Sequence, residues 1–423
     1  MNRILDRGSD WIDQKRPMEP VGLFRIVVGA MVLVHVAAFF RARESEFYRD
    51  SFYLPYWDWL PEPSSFQYGL LLWSIVGCGI AIILGLRNRI VFPATFVLMT
   101  YHLFLNMIWY RHNRYLMILS LFWLCFMARD PLVLFSKKVS EKAQYYWPMI
   151  MVRVQMSLIY LASGTSKFLD PDWSGGYVLW LRYGQEPGQL PFWEFMSLAS
   201  ISTEWVIAIG MWIPGIRYLV VWIGLCFHGY TEYRFNVLVF SYLTLGTYLL
   251  LISPHQQNRF FYFNPDSSWQ KHLARWVRSL DWLGKIQLIP VQAKTIYVTD
   301  PKGTTYQGIF AVIIAARAIL LTFFFAYPLT LLRFFRWARA DLDPETLPEV
   351  PIGRPAPNPG LWDSGLNAVT LLLGSTLLVL LARILEPENL EIIKFKFFIL
   401  PALLIFFGVA ILVKRQKQYG NFG

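Results

Sequence analysis

Residues 160–177 read Tyr-Leu-Ala-Ser-Gly-Thr-Ser-Lys-Phe-Leu-Asp-Pro-Asp-Trp-Ser-Gly-Gly-Tyr. Lys167 closes a long apolar segment that begins near residue 146, beside the small residues Ala162, Ser163 and Gly164. An apolar run of that length ending on a single cation reads as a membrane helix reaching its boundary. Burial disfavours an ammonium ion, so a lysine held partly dry can become neutral and act as a base. That role needs partial burial and no tight carboxylate partner. Asp170 and Asp172 follow closely enough to hold Lys167 charged instead. The plainer alternative is a lysine that snorkels from a helix end to the headgroups.

The rest of the chain agrees with a lipid setting. Of its 423 residues 55% are hydrophobic and only 16% charged, against about 25% charged in a soluble domain. Segments of spanning or near-spanning length lie at about 21–40, 68–86, 90–109, 113–128, 146–163, 193–213, 216–229 and 235–253. Two more lie near 366–385 and 396–413. The +11 net charge shows no basic run interleaved with a polar binding fold, so it points to a cytoplasmic loop excess rather than to nucleic acid. Arg87, Arg89, Lys137, Lys138, Lys142 and Arg217 then lie inside, and the acidic loop with Glu44, Glu46, Asp50, Asp58 and Glu62 outside. The N-terminus is expected in the cytoplasm and residues 111–115, 167–177 and His228 at the extracytoplasmic face. The N-terminal stretch 1–20 is amphipathic, and the apolar run after it has no small-residue cleavage site, so it is expected to stay as a membrane helix. Cys78, Cys125 and Cys226 sit far apart in apolar runs and read as small core residues, not as a disulfide framework. No usual metal signature is present, and no metal is expected.

The stretch at 164–177 resembles the core motif of the vitamin K-dependent γ-carboxylases and of the HTTM membrane domains, a Gly-x-x-Lys followed by Asp-x-Asp-Trp and Gly-Tyr. Gly164, Lys167, Asp170, Asp172, Trp173, Gly176 and Tyr177 carry it. A second stretch, Phe227-His228 followed by Phe235, Phe240, Ser241 and Tyr242, resembles the same family. A third, Arg111-His112-Asn113-Arg114-Tyr115-Leu116, departs from the family's Asn-His-x-Tyr-Leu: Asn113 takes the family's histidine position. The resemblance implies a reduced naphthoquinone deprotonated by Lys167, oxygen addition, proton removal beside a glutamate carboxyl, and carbon dioxide addition. His228 would be a quinone-side or proton-relay group. His112, Asn113, Tyr115, Asp170, Asp172, Trp173 and Tyr177 would line the pocket. The partners implied are membrane lipids and a secreted peptide or protein substrate.

Residues 256–310 read strand 259–264, helix 268–280, strands 285–290 and 295–299, a turn at 300–303 and strand 304–307, thioredoxin-like in outline. This part resembles the DCC thiol-disulfide oxidoreductase-like domains, whose two cysteine positions are taken here by Ser267 and Gln270. Without a thiolate there is no exchange chemistry. The run 309–331, interrupted by Arg317 and Pro328, reads as a helix of this domain continuing into an interfacial stretch, with Arg333, Arg336 and Arg339 toward anionic headgroups.

The expected architecture is therefore an all-α polytopic bundle of about eight spans, a small thioredoxin-like α/β cytoplasmic domain and a C-terminal two-helix hairpin. The divisions are 1–20, 21–255, 256–340, a Pro-rich acidic linker at 341–363, and 364–423. Three functions follow: a quinone-linked carboxylase or epoxidase-type enzyme, an accessory protein for maturation or export of a secreted peptide, and, last, a transporter with Arg153 and Glu204 on its pathway. Arg153, Glu204, His102 and His35 are polar groups inside spans, where such groups pair with one another or pack.

Overall fold

The computed structural model describes residues 15–16, 19–44, 54–107, 110–127, 144–145, 147–251 (except 185, 187, 214, 236 and 238), 259–281, 285–300 and 303–332. The expected linker, C-terminal hairpin and Arg333–Arg339 stretch lie outside the described residues. The chain divides into two units, Met1–Ser253 and Pro254–Gly423.

The first unit is helical. Its long helices are α1 (Glu19–Glu44), α2 (Ser65–Leu84), α3 (Asn88–Phe104), α4 (His112–Phe126) and α5 (Trp147–Leu169). Two short helices follow, α6 (Pro171–Ser174) and α7 (Tyr177–Tyr183), then α8 (Leu190–Gly210), α9 (Arg217–Phe235) and α10 (Val239–Leu251). A two-residue antiparallel pair, β1 (Lys15–Arg16) with β2 (Gln144–Tyr145), joins the chain before α1 to the chain before α5. Helix α1 packs on α2, α4 and α10, α5 packs on α8, α4 and α10, and α9 bridges α8 and α10.

Local chemistry sets the ends. Ser64 and Gln67 form a reciprocal capping box at the start of α2, and Gly85 ends the helix in a left-handed conformation. Arg25, inside α1, donates from Nη1 to the carbonyls of Ile82 and Ile83, so a buried cation satisfies the orphan acceptors at the end of α2.

Helix α2 shows why the unit belongs in lipid. Tyr68, Leu71, Leu72, Ile75 and Ile82 are buried, while Phe66, Leu70, Trp73 and Ile80 on the other side are exposed. A helix apolar all round needs apolar surroundings on both faces. Among the described residues two helices, Pro20–Phe40 and Ser65–Leu84, are long and apolar enough to cross a membrane. The other six expected spans of the first unit fall on helices that are shorter or carry polar and charged groups.

The second unit is α/β. It runs β3 (Arg259–Phe263), α11 (Ser268–Leu280), β4 (Ile286–Pro290), β5 (Tyr297–Thr299), β6 (Thr305–Gln307), α12 (Gly308–Ala316) and α13 (Leu320–Leu329). The sheet order is β4-β3-β5-β6, with β3 parallel to β4 and antiparallel to β5, and β5 antiparallel to β6. Phe261, Phe263, Ala274, Val277, Leu288, Val298, Ala311 and Ile314 form one core. The apolar run at 309–331 is thereby accounted for: α12 packs on the sheet, and the chain breaks at 317–319 before α13. Each helix is far shorter than the ~20 residues of a span.

Candidate functional site

Helix α5 carries Arg153, Ser157, Tyr160, Gly164 and Lys167, spaced four, three, four and three apart, so all five lie on one stripe. That stripe meets α8. Trp212, just past α8, donates from Nε1 to Ser157 Oγ at 2.7 Å, and Ser157 Oγ donates to the Ala208 carbonyl at 3.0 Å. Arg153 lies 5.4 Å from the Trp212 ring.

At the other end of the stripe Lys167 Nζ donates to Glu204 Oε1 at 2.5 Å. Gly164 makes this pairing reachable. A Cβ there would sit 2.9 Å from Trp205 and 3.4 Å from Glu204 Cβ, so only a glycine lets α5 approach α8 this closely. The carboxylate that Lys167 meets is thus Glu204, one helix away, not Asp170 or Asp172. A lysine without a tight carboxylate partner is not what the fold provides.

Asp170 and Asp172 are exposed, and Asp170 caps α6 by accepting from the Asp172 amide at 3.0 Å. Trp173, on the same turn, has its ring centroid 5.4 Å from Lys167 Nζ, and its carbonyl accepts from Ser197 Oγ. Gly176 holds φ +77°, and a Cβ there would collide with the backbone at Trp193–Glu194. The Asp-Pro-Asp-Trp-Ser-Gly-Gly segment is therefore a tight connection docked on the start of α8. Tyr177 opens α7 and is exposed.

His228 is the second centre of the site. It was expected at a helix end near residue 229, but α9 continues to Phe235, which places His228 inside the helix and buried. Its Nε2 is 2.6 Å from Tyr160 Oη, and Tyr160 Oη is 2.6 Å from Tyr248 Oη. Lys167–Glu204 and the His228–Tyr160–Tyr248 chain share helix α5, two turns apart on one face. Glu204 Oε2 and His228 Nδ1 are buried and have no hydrogen-bond partner among the described residues.

His112 and Tyr115 are exposed on the first turn of α4, with His112 5.7 Å from Tyr110, and Asn113 is half-buried with an unpartnered Oδ1. Among the described residues no hydrogen bond or ring contact joins these three to Lys167 or His228. Tyr160, Tyr248 and the Glu204–Lys167 partnership were missed by sequence reasoning. The signal for Tyr160 was present, since it lies seven residues before Lys167 on the same helical face.

Residues 14–255 match the HTTM domain. The chain belongs to the HTTM family. The matched span covers the whole first unit except its first thirteen residues and so contains every residue of the site just described. No curated protein and no solved structure matches this HTTM protein. With its doubly apolar helices, it is an HTTM-family membrane protein of mostly helical build.

Proposed function

We propose that this HTTM protein is a multi-pass membrane enzyme in which Lys167 and Glu204 act together as a proton-accepting pair toward a lipid-soluble, hydroxyl-bearing substrate. The observation that carries the reading is the 2.5 Å pairing of Lys167 with Glu204 on the stripe that also holds the Tyr160–His228 link. In a poorly solvated site two opposite charges in contact convert readily to a neutral pair by moving one proton. Transfer from Lys167 Nζ to Glu204 Oε1 leaves a free amine without exporting charge, and the amine then takes a proton from the substrate hydroxyl. Carboxylate partnership therefore supports a base role for the pair where it would suppress one for lysine alone.

The resemblance of 164–177 and 227–242 to the γ-carboxylases suggests a reduced naphthoquinone as the group bound here. The residues present fit an aromatic ligand with two oxygens. Glu204 Oε2 and His228 Nδ1 offer unpartnered polar atoms, and Trp173 offers a ring beside Lys167. When bound, the quinol would supply the electrons that reduce oxygen, redox chemistry that an amino-acid side chain lacks. The orientation that supports an extracytoplasmic site is the loop charge: basic residues at 87–89, 137–142 and 217, acidic ones at 44–62. Quinone analysis of lipid extracted from the purified protein, with oxygen uptake on added reduced naphthoquinone, tests the reading. Uptake by the wild type and none by Lys167→Ala is expected. Equal uptake by both contradicts it.

A second reading draws on the same ion pair. Lys167–Glu204 also clamps α5 to α8, as a non-catalytic accessory protein for maturation or export of a secreted peptide would require.

The second unit we propose to be a DCC-like, thioredoxin-like domain without redox chemistry. Its parallel β-α-β start followed by an antiparallel hairpin supports the fold. At the two positions where the family has cysteines stand Ser267, at the start of α11, and buried Gln270. Gln270 Oε1 accepts from the Asn264 amide at 2.8 Å and its Nε2 donates to the Lys294 carbonyl at 3.2 Å. It fills a thiol's place with a structural bridge.

A further inference from the structure

A second polar cluster lies within the HTTM unit on α1 to α4, away from the α5–α8 stripe. Phe39 of α1 is its hub. Arg114 of α4 sits 4.4 Å over the Phe39 ring. The rings of His35 and His102 lie 5.0 Å and 4.6 Å from it, and 6.0 Å from each other. Tyr68 Oη of α2 holds His102 Nε2 at 3.0 Å. Both histidines are buried, His35 with 7% of its surface exposed.

The cluster holds the Arg114 charge and spare hydrogen-bonding capacity. Arg114 Nη1 and His35 Nε2 are both buried and neither has a hydrogen-bond partner. Among the described residues no carboxylate pairs with Arg114. A guanidinium cannot shed its proton, so in a partly dry site it requires an anion or hydration to offset desolvation. A planar N–H fork beside an imidazole N–H is the donor set that recognises oxyanions. The rings of Phe39 and Tyr68 pack against His102 beside it.

We propose that Arg114 and His35 form an oxyanion-binding site, taking either the headgroup of an anionic lipid or a small soluble oxyanion. One oxygen accepts from Arg114 Nη1 and the ligand also accepts from His35 Nε2. The site is independent of Lys167, and its test does not depend on turnover.

Full-length protein in a neutral detergent is titrated with phosphatidylglycerol, with phosphatidylcholine as the uncharged control, and separately with phosphate and bicarbonate at constant ionic strength. The melting temperature is the readout. A rise with phosphatidylglycerol but not phosphatidylcholine assigns the lipid source. A rise with phosphate or bicarbonate assigns the soluble one. In either case Arg114→Gln weakens the apparent affinity by about tenfold or more, the scale of one lost charge-assisted hydrogen bond. His35→Leu, which keeps volume and removes the donor, weakens it several-fold and stands in if Arg114→Gln fails to fold. No stabilisation of the wild type by any of the three oxyanions, or equal stabilisation of the wild type and both variants, overturns the site.

Discussion

Lys167 Nζ and Glu204 Oε1 meet at 2.5 Å between α5 and α8, with the Glu204 side chain 6% and the Lys167 side chain 20% exposed. An ion pair this dry is strong only as a pair. Removing one partner leaves a charge that water reaches poorly, whereas removing both costs little.

Glu204→Gln should therefore lower stability by about 3 kcal/mol. The double replacement Lys167→Met with Glu204→Leu should recover most of that loss. Thermal unfolding of the wild type, Lys167→Met, Glu204→Leu and the double variant in one detergent closes the cycle. Additive losses would show that the two side chains do not interact.

Gly164 sets the distance that pairing needs. Gly164→Val places methyl groups against Trp205 and pushes α5 from α8, with a cost of about 1–3 kcal/mol. In the Glu204→Gln background the same substitution should cost less, because the contact it disrupts is already lost. Gly224→Ala should act similarly on the other centre, since its Cβ would collide with the Tyr248 ring. An unchanged melting temperature for Gly164→Val would contradict the close approach.

Much of this was legible in the chain and some was not. The β-α-β-β-β order at 259–307 could be read because the strands are short runs rich in β-branched and aromatic residues, the last two parted by the turn at 300–303, and α11 repeats its buried positions at 270, 274 and 277. Lys167 stood out because it ends an apolar run beside small residues and is followed by the Asp-x-Asp-Trp and Gly-Tyr stretch. Its partner did not, because Glu204 lies 37 residues away and only the helix crossing at Gly164 joins them. Arg25 escaped notice for the same reason: its acceptors are backbone carbonyls, which carry no sequence signature. The run 309–331 could be read as part of the second domain because Arg317 and Pro328 interrupt it.

Thiol exchange offers a separate check on the second unit. The full-length protein should show no disulfide-reducing activity. Gln270→Cys with Ser267→Cys should destabilise the unit by about 1–3 kcal/mol, because the Asn264 amide and Lys294 carbonyl lose their partner. Measurable exchange by the wild type would refute the redox-dead reading.

Lys285, next to β4, gives a pH signature. Burial, then the neighbouring Arg259 charge, lowers its pKa to about 8, with Asp281 pulling the other way. The folded state thus binds this proton less tightly than the unfolded chain does. The destabilising charge is fully present below pH 8 and is shed as pH rises from about 8 toward the ordinary lysine value near 10.5. Stability of the second unit should rise across that window, and Lys285→Met should flatten the rise. Competitive amine labelling read by peptide mass should place the Lys285 midpoint near 8. A midpoint above 10 would contradict the burial.

The central claim is that Lys167 gives up and takes a proton. Lys167→Arg tests it most directly, because arginine keeps the cation and the partnership with Glu204 but stays protonated. Oxygen uptake on reduced naphthoquinone is measured for this variant beside the wild type, with the melting temperature recorded on the same samples. The expected result is a variant that melts within a few degrees of the wild type and shows no uptake. A normally folded Lys167→Arg protein with wild-type uptake would exclude proton abstraction by this residue and leave the ion pair as a clamp between α5 and α8.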